Sequence, residues 1–206
     1  MRSVEQGFRG IKIKVGEGDI NRDVATVGAV RAMIGPDIAL MVDFNQSLDP
    51  SEAKRRIERL APYDLHWIEE PVPAENLQGH AEVRASSPIS IQSGENWWFP
   101  RGFAEAIAAR ASDFIMPDLM KVGGVTGWLR VAGQAEAASI PMSSHLFAEA
   151  SSHMLAVTPT AHWLEYLDLA RAILAEPVQI VAGTVTARGP GLGLSWDEAA
   201  VAKYRL

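Results

Sequence analysis

Three acidic residues stand at equal intervals of 26 residues, each at or just past the end of an apolar run. Asp43 closes Ala39-Leu40-Met41-Val42, Glu69 closes Leu65-His66-Trp67-Ile68, and Glu95 follows Pro88-Ile89-Ser90-Ile91 by four residues. A strand, a helix and two short loops fill about that length. The interval therefore predicts a repeating β/α array with one carboxylate at the carboxyl end of each of three successive strands. Three such carboxylates converging on one point suit a hard divalent cation such as Mg²⁺.

The remainder of the chain carries the same alternation, which predicts a parallel α/β architecture. Strands are expected at 10–15, 38–42, 65–68, 89–92, 114–116, 140–142 and 161–164. Helices are expected at 21–33, from Asp49-Pro50-Ser51-Glu52 onward, and at 76–85, 100–111, 128–138 and 149–157. Pro50 suits a first helical turn. Seven strands are one fewer than a closed (β/α)₈ TIM barrel uses, and such barrels usually run to about 250 residues. Val4-Glu5-Gln6 reads as the last turn of a helix leading straight into a strand, so the absent unit is expected to be the first. The expectation is a TIM-barrel-type domain of about seven β/α units over residues 1–168. Beyond it, 169–206 is a Pro- and Gly-rich extension packing on the barrel.

Composition narrows the chemistry. The 206 residues suit one well-buried domain, and 48% hydrophobic with 21% charged residues is ordinary for a globular protein. A net charge of −6 argues against nucleic acid, which favours a basic footprint. With no cysteine, disulfides, thiolate metal sites and thiol nucleophiles are excluded. No apolar run approaches the roughly 20 residues of a membrane span. The first eight residues hold no apolar signal core, so a cytoplasmic location is expected.

In Ile11-Lys12-Ile13-Lys14-Val15 the period of two places both lysines on one face, and inward-facing lysines need nearby anions. Crowded lysines depress one another's pKa, which lets one act as a base. Asp43 and Asn45 share a face by the same period. Glu69 and Glu70 are adjacent, so a regular strand turns only one inward, and Glu69 keeps the register. Met116-Pro117-Asp118 and Ser143-Ser144-His145 close two later strands, where Asp118 can orient the His145 imidazole. Glu165 closes the last strand. His66, His80, His153 and His162 read as structural, Lys121 as a solvated loop residue, and Gly123-Gly124 as either an anion cradle or a tight turn. Trp97 and Trp98 either wall the pocket or pack between helices.

This set fits abstraction of the proton next to a carboxylate, because a divalent metal stabilises the doubly negative enediolate that results. Lys14 on an early strand and His145 on a late one can flank a substrate. Two bases on opposite faces allow racemisation.

The motifs Lys12-Ile13-Lys14, Val42-Asp43-Phe44-Asn45-Gln46-Ser47, Trp67-Ile68-Glu69-Glu70-Pro71 and Gly94-Glu95-Asn96-Trp97 follow one another in that order. After them come Met116-Pro117-Asp118, Lys121 to Trp128, Ile140 to Phe147 and Thr158 to Glu165. Together they resemble the mandelate racemase branch of the enolase superfamily over essentially the whole chain. The resemblance implies Asp43, Glu69 and Glu95 as Mg²⁺ ligands, with Mn²⁺ a substitute. It implies Lys14 as one base and His145, paired with Asp118, as the other. Lys12 would hold the substrate carboxylate and lower the pKa of Lys14, Glu165 would donate a hydrogen bond to that carboxylate, and Asn45 would support the substrate or the second base. Asp118 stands where the muconate-cycloisomerase and dipeptide-epimerase branch carries a lysine, which disfavours that branch. The family's amino-terminal capping domain is expected to be absent. A small carboxylic acid is the expected substrate, racemised as a 2-hydroxy acid, with sugar-acid dehydration or metal binding without turnover as alternatives. No nucleic acid or membrane partner is expected, and a homo-oligomer is.

Overall fold

A computed structural model describes residues 2–205. Its main sheet has seven strands, all parallel and in sequential order. They are β1 (Gly10–Lys14), β2 (Ala39–Asp43), β3 (Leu65–Glu69), β4 (Ile91–Ser93), β5 (Phe114–Ile115), β6 (Met142–Ser144) and β7 (Ala161–Leu164). After a short α1 (Arg2–Glu5), the crossovers run through α2 (Ile20–Ile34), α3 (Pro50–Leu60), α4 (Leu77–Ser86), α5 (Phe99–Ala108), α6 (Gly124–Ala138) and α7 (Ala148–Ala156). The fold is α/β of the TIM-barrel type, with seven units curled into an open barrel wall.

The helices begin where capping chemistry starts them. Asp19, Asp49 and Asn76 each accept a backbone N–H in the first turn of α2, α3 and α4, and Pro50 occupies the first turn of α3. The apolar core lies between sheet and helices. Leu40, Val42, Ile68 and Ile91 pack outward against Val27, Ile57 and Leu60, and a second cluster gathers Phe103, Ile115, Trp128, Val131 and Met142. The alternate positions Met41, Asp43, Trp67, Glu69 and Gln92 are buried too, on the inner face. Strands hidden on both faces read as near-continuous apolar runs, which is why the runs were visible.

Every strand but β7 starts or ends elsewhere than expected, most by a single residue. β4 and β6 start two residues later than the apolar runs, because Asp113 caps the Ile91 N–H and Pro141 has none to give. β2 extends to Asp43 itself, putting the carboxylate in the ladder beside Glu69.

β1 and β7 are not paired with each other, but side chains cross between them. Lys12 meets Glu165 at 2.7 Å, and the Phe8 and Tyr166 rings lie 5.6 Å apart. A cavity of about 770 Å³ opens along this seam, lined in part by Lys12, Met41, Gln92, Ser143 and Trp163. The extension holds a hairpin, β8 (Ile180–Val181) with β9 (Thr184–Val185), and α8 (Glu198–Ala202). It buries Leu174 and Ala200, and Leu192 packs against the second core cluster. No helix among the described residues is long and apolar enough to cross a membrane.

Candidate active site

Asp43, Glu69 and Glu95 each bring one carboxylate oxygen to within 4.8 Å of the others. Asp43 and Glu69 are wholly buried and Glu95 nearly so. β2 and β3 deliver the first two as register partners, and the turn after β4 delivers the third. Gly94 makes that turn at φ +142, where a Cβ would come within 2.9 Å of the Met116 nitrogen. Burial, offset by Lys12 but reinforced by Asp43 and Glu165, pushes Glu69 up to about 7. Three buried carboxylates so close repel one another, and a cation between them removes the cost. Glu95 Oε2 is buried with no well-directed hydrogen bond, although His145 Nε2 lies 3.2 Å away. An all-carboxylate donor set with a spare buried oxygen fits a hard cation such as Mg²⁺.

Proton-binding groups stand on both flanks of the triad. Lys12 pairs with Glu69 and Glu165. Burial acts to lower its pKa, but the two carboxylates override it and hold the ammonium above its ordinary value. Lys14, more exposed, donates to Asp43 at 2.8 Å and to Asn45. Asn45 reaches it by a route the period of two did not foresee. The strand stops at Asp43, and Asn45 and Gln46 turn through left-handed conformations at φ 43 and 64. The Asp43 carboxylate holds that turn by accepting the Asn45 N–H at 2.7 Å.

On the opposite flank, His145 Nδ1 lies 2.8 Å from Asp118 Oδ2. The two backbones are bridged in parallel register, and the other Asp118 oxygen accepts the N–H groups of Met120 and Lys121. This fixes the carboxylate, which fixes the imidazole and leaves Nε2 facing Glu95. Burial lowers the His145 pKa, but the Asp118 hydrogen bond and the Glu95 and Glu165 charges raise it overall. Asp118 is lowered against its own burial by His145 and the two N–H groups. Glu165 accepts the Leu146 N–H at 2.9 Å. Burial raises its pKa, yet Lys12 and His145 pull it below the usual value.

The assembly thus gathers all nine residues singled out from the sequence: Lys12, Lys14, Asp43, Asn45, Glu69, Glu95, Asp118, His145 and Glu165. Two readings need correction. Glu70 does not face outward; past the end of β3 its backbone turns to φ 39, and its side chain is buried. Burial first, then Glu95, raise its carboxyl to about 8. Asn96 donates to both Glu70 oxygens, at 3.0 and 2.9 Å. Lys121 is not a solvated loop residue, since its ammonium donates to Asn96 Oδ1 at 2.7 Å. Glu70, Asn96 and Lys121 form a polar chain beside the triad, which only the left-handed turn at Glu70 brings together. Trp97 is buried and donates to Ala74 O, while Trp98 is exposed. Gly123 and Gly124, at φ 98 and 68, form a tight left-handed turn into α6.

A wall of β/α units with acids, lysines and a histidine gathered at the carboxyl ends of its strands defines a barrel of the enolase type. Residues 1–200 match the family described as enolase C-terminal domain-like, and the chain belongs to that family. Its relatives fall in the mandelate racemase and muconate lactonizing branch. An enolase from Bradyrhizobium, solved with magnesium and mandelic acid, is 72% identical with a TM-score of 0.96, over 98% of this chain and 56% of that one. An L-talarate dehydratase from Polaromonas, solved with Mg and L-glucarate, is 35% identical with a TM-score of 0.94, over 100% of this chain and 57% of that one. A 3,6-anhydro-alpha-L-galactonate cycloisomerase from Streptomyces coelicolor is 37% identical over 95% of this chain and 55% of its own length. The chain therefore spans about half the length of the relatives it matches.

Proposed function

We propose that the site abstracts the proton α to a carboxylate with Mg²⁺ held by Asp43, Glu69 and Glu95, and that the reaction is racemisation of a small 2-hydroxy acid. One observation carries the reading: two proton-transfer groups flank the triad from opposite sides. Lys14 abuts the first ligand, Asp43, and His145 abuts the third, Glu95. Bound there, Mg²⁺ would hold the substrate carboxylate and offset the charge of the enediolate. The rest belongs to the chain. Lys12, paired to Glu165, offers a fixed positive charge for a carboxylate oxygen. A proton taken by one flanking base is returned by the other to the opposite face, which inverts the carbon. His145, kept in one orientation by Asp118, can serve in either direction as its protonation alternates. The 72% identical protein solved with magnesium and mandelic acid supports an α-hydroxy acid as the substrate class.

A second reading is dehydration of a sugar acid. The raised pKa of His145 favours an imidazolium able to protonate a departing β-hydroxyl, and a relative named for L-talarate/galactarate dehydration is 33% identical. The two separate in one experiment. The chain is incubated in D₂O with Mg²⁺ and either (R)-mandelate or galactarate, with proton NMR and optical rotation followed. Exchange of the α-proton with loss of rotation supports racemisation, and a 2-keto acid from galactarate supports dehydration. Neither product, in a chain that binds Mg²⁺, would support metal binding without turnover and count against both reactions for these 206 residues.

A further inference from the structure

Beneath the triad, inside the barrel, lies a buried set of neutral hydrogen-bond donors that the proposed reaction does not use. The indole Nε1 of Trp67 donates to Glu69 Oε2 at 2.9 Å, and the amide nitrogen of Gln92 reaches the same oxygen at 3.3 Å. The Gln92 amide is itself oriented. Ser143 Oγ donates to its oxygen at 3.0 Å, while its nitrogen also lies 3.2 Å from Met116 Sδ. Trp67, Gln92 and Ser143 are all at least nineteen-twentieths buried. They come from β3, β4 and β6, so the set spans the interior of the wall.

We infer that Trp67 is a positioning residue for the metal ligand Glu69, with Gln92 and Ser143 completing its cradle; the inference rests on the metal reading above. The argument is one of charge and geometry. Glu69 has two demands on it, because Lys12 takes Oε1 as an ion pair while the triad needs the carboxylate turned toward Asp43 and Glu95. A lone ionic contact with a flexible lysine does not fix the plane of a carboxylate. Two neutral donors on the second oxygen do, and they leave the negative charge available to a cation. A lysine in their place would neutralise that charge. Partners that orient a ligating carboxylate in this way typically govern metal affinity by about 10–100-fold.

The indole is held in turn from below. The Trp67 ring meets Phe114 edge-on at 6.3 Å and Trp163 at 6.4 Å, and the backbone of Trp67 lies in the β2–β3 ladder. Trp67 stands two residues before Glu69, so the pleat points both the same way. The donor and its acceptor are thereby built into one strand.

The test is Mg²⁺ binding to the full chain by calorimetry, without substrate. Trp67→Phe keeps an aromatic ring and removes the N–H, and Gln92→Met keeps length and removes the amide. The expected result is that Mg²⁺ Kd rises about tenfold for Trp67→Phe and less for Gln92→Met. Thermal melting in EDTA should stay close to that of the unaltered chain, which separates positioning from folding. A Kd within twofold for both variants would overturn the cradle. If Trp67→Phe fails to fold, the Gln92→Met result decides alone. Failure of the unaltered chain to bind Mg²⁺ would instead overturn the triad reading, and the cradle with it.

Discussion

His145 and His162 sit on neighbouring units of one sheet, yet their surroundings drive them in opposite directions. His145 follows β6 at the carboxyl end, where the Asp118 hydrogen bond and the Glu95 and Glu165 charges raise its pKa against burial. His162 is the second residue of β7, at the other end of the barrel. Burial first, and then the nearby His66, lower it to about 4. Its neighbours are rings: Phe114 at 4.8 Å, His66 at 5.5 Å and Trp163 at 6.0 Å. Both His162 Nε2 and His66 Nε2 accept from the Trp163 indole, at 3.1 and 3.3 Å. One end of the barrel therefore stabilises an imidazolium, and the other requires neutral imidazole as a hydrogen-bond acceptor. Strand ends that point toward the loops collect charge, while strand starts close the floor with aromatic packing.

The strongest way to break this contrast is at the metal triad. Glu95→Gln should abolish calorimetric Mg²⁺ binding, whereas His162→Phe should leave it unchanged; retained binding in Glu95→Gln would sink the ligand assignment. Next, in an active form, His145→Asn should lower turnover of one enantiomer by about 10²–10⁴-fold. Lys14 should still exchange the α-proton of the other enantiomer, and equal loss for both would contradict the two-base arrangement. Gly94→Ala should destabilise the fold by roughly 2 kcal/mol, because no side chain fits φ +142 against Met116. Denaturant unfolding in EDTA measures this, and an unchanged midpoint would mean the turn tolerates a Cβ.

The pH predictions are smaller and opposite in sign. Asp118→Asn should move the His145 titration toward acid, read by NMR of the imidazole protons, because it removes the bond that raises it. A shift toward alkali would mean Asp118 does not sustain the charge. His162 binds a proton more readily unfolded than folded, so it contributes stability above its ordinary value of 6.5 that fades as pH falls toward about 4. His66 and His80 are lowered in the same way. His162→Phe should therefore flatten, without abolishing, the loss of melting temperature between pH 6.5 and 4. An unaltered acid limb would show that His162 is free to charge in place.

Much of this site was legible because β/α units repeat. Equal spacing put Asp43, Glu69 and Glu95 at successive strand ends, and the period of two put Lys12 and Lys14 on one face. Period arguments fail where the backbone leaves the strand. Asn45 and Glu70 reach the site through left-handed turns, and no pleat rule describes them. Trp67 stood in plain view two residues before Glu69, but an indole in an apolar run reads as core until its N–H is seen to have an acceptor.

The sequence by itself determined the architecture and the chemistry of the rim, since both follow from local periods and from residue types at fixed intervals. Only the tertiary structure decided in which direction each histidine's pKa is driven, how Glu69 is shared between Lys12 and Trp67, and that Glu70 joins the interior. Those outcomes depend on distances between strands far apart in the chain, and electrostatic and hydrogen-bond energies are set by distance and burial rather than by order along the sequence.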